Sequence, residues 1–78
     1  MATFSGKIAR IRFRNPQNGY TVLSVTPDEP YKEHADSYGK VAVVGGLPEL
    51  HVEQYCIFEG EWGEDARYGP QFQAISVE

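Results

Sequence analysis

Residues 3–13 read TFSGKIARIRF and form the most informative segment of the chain. It predicts a long β-strand, because its apolar residues alternate with a period of two rather than with the 3.6-residue period of a helix. The alternation changes phase along the stretch: Ile8 falls on one face, whereas Ile11 and Phe13 fall on the other. A β-bulge or a sharp bend produces such a phase change. We therefore expect a bent first strand, which can contribute to both halves of a small barrel.

Four further strands are predicted from runs of β-branched and aromatic residues between turn signals. They are Tyr20–Thr26, Lys40–Val44, Tyr55–Trp62 and Gln71–Val77. The pair Asn18-Gly19 is a strong hairpin signal, because both residues tolerate a positive φ. Pro27–Ser37 is predicted to be an exposed polar connection, and Gly63–Pro70 a long hairpin loop. Leu47–Leu50 leaves room for at most one short helical turn between the third and fourth strands.

This order of elements predicts an all-β domain, a five-stranded oligonucleotide-binding (OB) fold barrel. A barrel of the SH3-like kind is the main alternative, since it also has about five strands. The length and the bend of the first strand favour the OB fold. We expect one domain over residues 1–78, because a chain of this length supports a single, modest hydrophobic core.

The composition excludes several classes of protein. No segment approaches the ~20 consecutive apolar residues of a membrane span, so we expect no membrane contact. The single cysteine, Cys56, cannot form an internal disulfide, which fits a cytoplasmic location. Its alternation with Phe58 predicts a buried side chain rather than a nucleophile. The sequence has no zinc-type Cys and His spacing, no catalytic constellation and no Gly-Lys-Ser/Thr loop, so we expect no metal, cofactor or catalysis in this domain.

The charge is unevenly distributed along the chain. The formal net charge is −4, but Lys7, Arg10, Arg12 and Arg14 supply four of the seven cations within eight residues. On an unbroken strand the three arginines would project from one face about 7 Å apart, which suits contacts with successive phosphates. The alternative is a solvated barrel face whose arginines pair with an acidic neighbouring strand carrying Glu59 and Glu61. Composition leaves these two interpretations open.

Aromatic residues accompany the cations. Tyr20 opens the second predicted strand just beyond Arg14, and Tyr68 follows Arg67 in the last loop. In an OB fold these two loops flank the binding face, where bases stack on aromatic rings. Alternatively, Tyr20 caps the core and Tyr68 packs over its own loop. The predicted nucleic-acid-binding residues are Arg10, Arg12, Arg14, Tyr20, Lys40, Arg67 and Tyr68.

Four motifs occur in order: NPQNGYTV at 15–22, VVGGLPEL at 43–50, GEWG at 60–63 and YGPQF at 68–72. Together they resemble the N-terminal OB-fold domain of the long RecD-like DNA helicases that act without RecB and RecC. The resemblance covers Gly6 to Val77. It departs from the family at Asp65-Ala66, where a His-Pro pair is common, and this places a carboxylate in the last loop.

The resemblance implies that the chain is a fragment of a superfamily 1, 5′-to-3′ helicase that acts in DNA repair and recombination. ATP and Mg²⁺ would then be bound by the motor domains of the same polypeptide, and the chain alone would not be an enzyme. Three hypotheses follow for this domain: contact with single-stranded DNA, docking to the motor domains or another protein, and structural support of the helicase N-terminus.

Overall fold

A computed structural model describes residues 1–28, 35–67 and 69–78, and within these ranges it contains five strands. They are β1 (Ala2–Arg14), β2 (Tyr20–Pro27), β3 (Val41–Gly46), β4 (Tyr55–Asp65) and β5 (Gly69–Val77). The strands form a closed barrel in the order β1-β2-β3-β5-β4, in which only the β3–β5 contact is parallel. The predicted all-β, five-stranded barrel is confirmed. In the described part of the chain no helix is long and apolar enough to cross a membrane.

The predicted limits of β3, β4 and β5 are wrong. β3 runs through Gly45 to Gly46 rather than ending before them. Gly45 stays in the strand because it has no side chain: a Cβ there would overlap the carbonyl oxygen of Ala74 on β5. The predicted long loop Gly63–Pro70 is a short turn, because the β4–β5 ladder continues to the Asp65–Gly69 pair. Residues 47–50, predicted to hold at most one helical turn, form no helix.

The first strand serves two neighbours, as its predicted bend requires. Its N-terminal half, Ala2–Lys7, pairs with β4, and the stretch from Gly6 to Arg14 pairs with β2. Gly6 takes part in both ladders. A Cβ on Gly6 would overlap the carbonyl oxygen of Thr26 and lie 2.9 Å from Cγ1 of Val25. Glycine at this position therefore allows β2 to approach the point where β1 bends.

Two bulges interrupt the β1–β2 ladder. The first lies between Ile8 and Arg10, within the predicted region, and the second lies between Ile11 and Phe13. Ile8 is completely buried, and Ile11 is opposite the buried Leu23 and packs against the core. The expectation that Ile11 and Phe13 share a face is wrong, because the second bulge turns Phe13 outward. An extra residue in each bulge resets the alternation of side chains between the two faces.

Aromatic and aliphatic side chains fill the barrel. The core cluster comprises Phe4, Ile8, Leu23, Val25, Val41, Val43, Leu47, Leu50, Cys56, Phe58, Phe72 and Ala74. Trp62 packs edge-on against Phe72 with ring centroids 4.9 Å apart and against Phe4 at 5.6 Å, and so it covers part of the core. Cys56 is buried, as predicted, and burial raises the pKa of its thiol.

The β1–β2 hairpin is fixed by hydrogen bonds to its own turn and to the segment after β3. Gly19 has a φ of 77°, which favours glycine, and its amide donates to the carbonyl of Asn15 at 2.7 Å. The carbonyl of Gly19 accepts from the amide of Leu47 at 3.0 Å. Leu47 and Leu50 are buried in the core, so this bond anchors the hairpin to the barrel.

Asp28, just after β2, connects three parts of the chain. The hydroxyl of Tyr55 on β4 donates to its Oδ2 at 2.5 Å, and Ser5 Oγ on β1 donates to the same atom at 2.8 Å. These two hydrogen bonds, that from Tyr55 first, hold the pKa of Asp28 below its ordinary value. The carboxylate thereby links the end of β2 to the β1–β4 ladder.

We predict that Gly6→Ala destabilises the barrel by about 1–3 kcal/mol, because the added methyl group overlaps the backbone of β2. Gly46→Ala is the matched control: Gly46 lies in a strand, and a Cβ there meets nothing within 4 Å. It should be neutral or stabilising by up to about 1 kcal/mol. Urea unfolding followed by tryptophan fluorescence measures both; equal effects of the two variants would contradict the steric account of Gly6.

We also predict that Tyr55→Phe raises the pKa of Asp28 toward its ordinary value, because the largest hydrogen bond to the carboxylate is lost. The stabilisation from this bond is present above the ordinary pKa of aspartate. It disappears as the pH falls through the lower pKa of the folded state. An NMR titration of the Asp28 carboxyl carbon measures the shift, and an unchanged pKa would show that Tyr55 does not contribute.

Candidate nucleic-acid interface

A groove of about 700 Å³ crosses the outside of the barrel over β1, β2 and β3. The β4–β5 turn and the start of β5 form one of its walls, and the turn before β3 contributes another. Its floor is made by short side chains on the outer face of β2 and β3, such as Ser24 and Ala42. Longer side chains surround this floor: Arg12, Phe13, Tyr20, Lys40 and Arg67.

Four of the seven predicted binding residues line this groove: Arg12, Tyr20, Lys40 and Arg67. They come from four separate places in the chain, and the closure of the barrel brings them together. Arg10 is exposed on β1 opposite Ser24 but does not line the groove. Tyr68 lies outside the described residues, and the structure says nothing about it.

Arg14 corrects the expectation that Arg10, Arg12 and Arg14 share one face. The two bulges place Arg14 opposite the buried Thr21, on the inner side of the ladder. Its Nη2 donates to the carbonyl of Leu47 at 3.3 Å, and its Nε is buried with no hydrogen-bond partner. Arg14 is therefore committed to the base of the β1–β2 hairpin, whereas Arg12 occupies a bulge on the outer surface.

Phe13 was missed as a candidate by the sequence reasoning. It is 54% exposed, and its ring lies beside that of Tyr20, which is 43% exposed. The ring centroids are 6.5 Å apart and the planes are inclined by 54°. Two large aromatic rings therefore form one exposed surface at the hairpin end of the groove. The sequence does contain a signal that would have identified Phe13. Ile8 and Ile11 face inward three residues apart, and a further step of three residues places Arg14, rather than Phe13, on the inner side.

The two carboxylates in the groove accept hydrogen bonds from the backbone of the turns that carry Lys40 and Arg67. Oδ1 of Asp36 accepts hydrogen bonds from the amides of Tyr38 at 2.8 Å and Lys40 at 3.0 Å. Oδ1 of Asp65 accepts from the amide of Arg67 at 2.8 Å. Both carboxylates line the groove. They lower its positive charge while fixing the backbone positions of Lys40 and Arg67.

The exposed carboxylates Glu59 and Glu61 of β4 do not neutralise the cations of the groove. Glu59 lies opposite Thr3, near the start of β1, so it pairs with the other end of that strand. The alternative in which Glu59 and Glu61 face the arginines across the sheet is wrong. Arg12 and Lys40 form no ion pair with any residue that the structure describes.

Taken together, the groove can stack flat ring systems and attract anions. Bases stack on exposed aromatic side chains whatever their identity, and nearby cations attract phosphates. Over the described ranges, no group of three or more His, Cys, Asp or Glu side chains could hold a metal ion. The sequence has no Gly-Lys-Ser/Thr loop of the kind that binds the phosphates of ATP.

A five-stranded closed barrel with a binding groove over β2 and β3, flanked by the first and last hairpin turns, belongs to the oligonucleotide-binding class of modules. The chain is a member of the family described as the OB-fold domain of the ATP-dependent DNA helicase YrrC, whose family model matches residues 1–78. This confirms the OB fold and makes the chain an accessory domain of a DNA helicase family. No curated protein and no solved structure matches the chain.

Proposed function

We propose that this domain contacts single-stranded DNA as the accessory OB-fold module of a RecD-like, 5′-to-3′ helicase that acts in DNA repair and recombination. The observation that supports this most strongly is the groove itself. It combines the exposed ring pair of Phe13 and Tyr20 with three cations, Arg12, Lys40 and Arg67. Rings and cations together are the two elements of single-strand recognition.

The aromatic rings and the cations contact different parts of the DNA strand. Phe13 and Tyr20 offer their exposed ring faces to bases at the hairpin end of the groove. The cations contact the phosphates of the same strand. A duplex keeps its bases stacked inside, and so it cannot use the rings. Single strands are therefore the preferred ligand, and stacking makes the binding tolerant of base sequence.

The ATP-dependent reaction takes place in another part of the helicase. ATP and Mg²⁺ bind to the motor domains of the same polypeptide, and in this cytoplasmic enzyme the OB-fold domain holds DNA without taking part in catalysis. We expect the isolated domain to bind weakly, because three groove cations act against a net charge of −4. Its Kd should be on the order of 10–100 µM at low salt, within the usual range of non-specific contacts.

We predict that Phe13→Leu weakens binding of a fluorescein-labelled oligothymidine by about 5- to 150-fold, the loss of one stacked base at ~1–3 kcal/mol. Leucine keeps the position apolar and removes the ring. Tyr55→Leu is the matched control, because Tyr55 is 53% exposed and does not line the groove. Fluorescence anisotropy measures both Kd values. Equal losses in the two variants, or no binding by the native domain at ~0.1 mM in low salt, would contradict DNA contact in this groove.

The salt dependence tests the role of the cations separately. Three phosphate contacts predict a slope of log K against log[salt] of about −2 for a single strand. Arg12→Gln should reduce the magnitude of this slope by about 0.7. Lys7→Gln, also on β1 but outside the groove, should leave it unchanged, and so should Arg14→Met, because Arg14 is committed to the hairpin base. If the slope changed in the Arg14 or Lys7 variant and not in the Arg12 variant, the phosphate contacts would lie outside the groove.

A further inference from the structure

The outside of β4 presents an apolar and acidic surface, which we call the β4 face. It consists of Tyr55, Ile57, Glu59 and Glu61 on β4 together with Ile75 on β5. The alternating exposure of β4 from 55 to 61 places its four side chains on one outer surface. Ile75 is 64% exposed, more than any other isoleucine or valine among the described residues.

The β4–β5 register brings the members of this face together. Glu59 is opposite Ser76, whereas Gly60 is opposite Ala74, so Ile75 is the extra residue of a bulge beside Glu59. Such a residue has no partner in the ladder and is turned out of it. Ile57 lies two residues before Glu59 on the same surface. The bulge thus adds an exposed aliphatic side chain next to an exposed carboxylate.

Charge separates this face from the DNA groove. The groove holds three cations and two carboxylates, a formal charge of +1, so the rest of the chain carries −5. In the barrel order, β4 touches β1 and β5 but neither β2 nor β3, which carry the floor of the groove. The two surfaces therefore point away from each other and can be occupied at the same time.

We infer that the β4 face is a docking surface for a protein surface with an apolar centre and basic surroundings, located on the motor part of the helicase that carries this domain. DNA and anionic membranes are repelled by Glu59 and Glu61. A second copy of this face is repelled as well, because like charges across an interface are costly. A basic protein surface is the partner that complements both the exposed isoleucines and the carboxylates.

The motor part of a DNA helicase meets this description chemically. Helicase channels line the path of the strand with positive charge. Docking through the β4 face leaves the groove of Arg12, Phe13 and Tyr20 open, so a strand leaving or entering the motor can pass across it. The inference rests on the proposed membership of a longer helicase and is independent of DNA binding by the groove.

Zero-length carbodiimide cross-linking of the full-length helicase, followed by mass spectrometry, tests the inference, because the reagent joins carboxylates to lysines in direct contact. We expect Glu59 and Glu61 to cross-link to lysines outside the domain. Glu49 and Glu53, exposed carboxylates in the connection before β4, are the internal controls and should not. Cross-links that are absent from Glu59 and Glu61, or equally frequent from the control residues, would overturn the inference.

A single substitution sharpens the test. Ile75→Arg places a positive charge in the middle of the face without adding an amine that the reagent could couple, and it should reduce the Glu59 and Glu61 cross-links at least ~5-fold through repulsion of a basic partner. Val52→Arg is the matched control, since Val52 is 51% exposed and lies outside the face. Equal cross-linking in the two variants would overturn the inference. Oligonucleotide binding by the isolated domain should be the same in both, so a failure of docking is distinguishable from a failure of DNA contact.

Discussion

The sharing of β1 between two ladders is the constraint on which the rest of this barrel depends. A strand of 13 residues pairs first with β4 and then with β2, and it can do so only by bending. Gly6 permits β2 to approach β1 closely at the bend, and two bulges add further twist to β1. Each bulge also shifts the alternation of side chains. The same distortion that closes the barrel therefore decides which residues of β1 face the ligand.

The functional surface is a direct consequence of that distortion. Without the second bulge, Phe13 would turn inward with Ile11, and the ring pair with Tyr20 would not form. The dual pairing also separates charge: the acidic strand β4 meets the first half of β1, whereas Arg12 lies in the second half. The groove consequently stays cationic in a chain of net charge −4. A groove lined by cations and an acidic side can coexist on a barrel this small because β1 pairs with β4 at one end and with β2 at the other.

The sequence predicted the fold better than it predicted the geometry of the site. Alternation and turn residues located all five strands, and the phase change near Ile8 located the first bulge. The second bulge was missed, because Ile11 and Phe13 satisfy a two-residue alternation that the barrel does not use. That error misplaced Phe13 and grouped Arg14 with the exposed cations. Lys40 and Arg67 were among the predicted binding residues, but only the closure of the barrel shows that they share a groove with Arg12.

The central claim is that single-stranded DNA lies in the groove over β1, β2 and β3, and NMR chemical-shift mapping tests it most directly. Titration of the ¹⁵N-labelled domain with an oligothymidine at low salt should shift the amides around Phe13, Tyr20, Lys40 and Arg67. The amides of β4 from Tyr55 to Glu61 should stay in place. Shifts confined to β4, or no shifts with DNA in excess, would contradict the account.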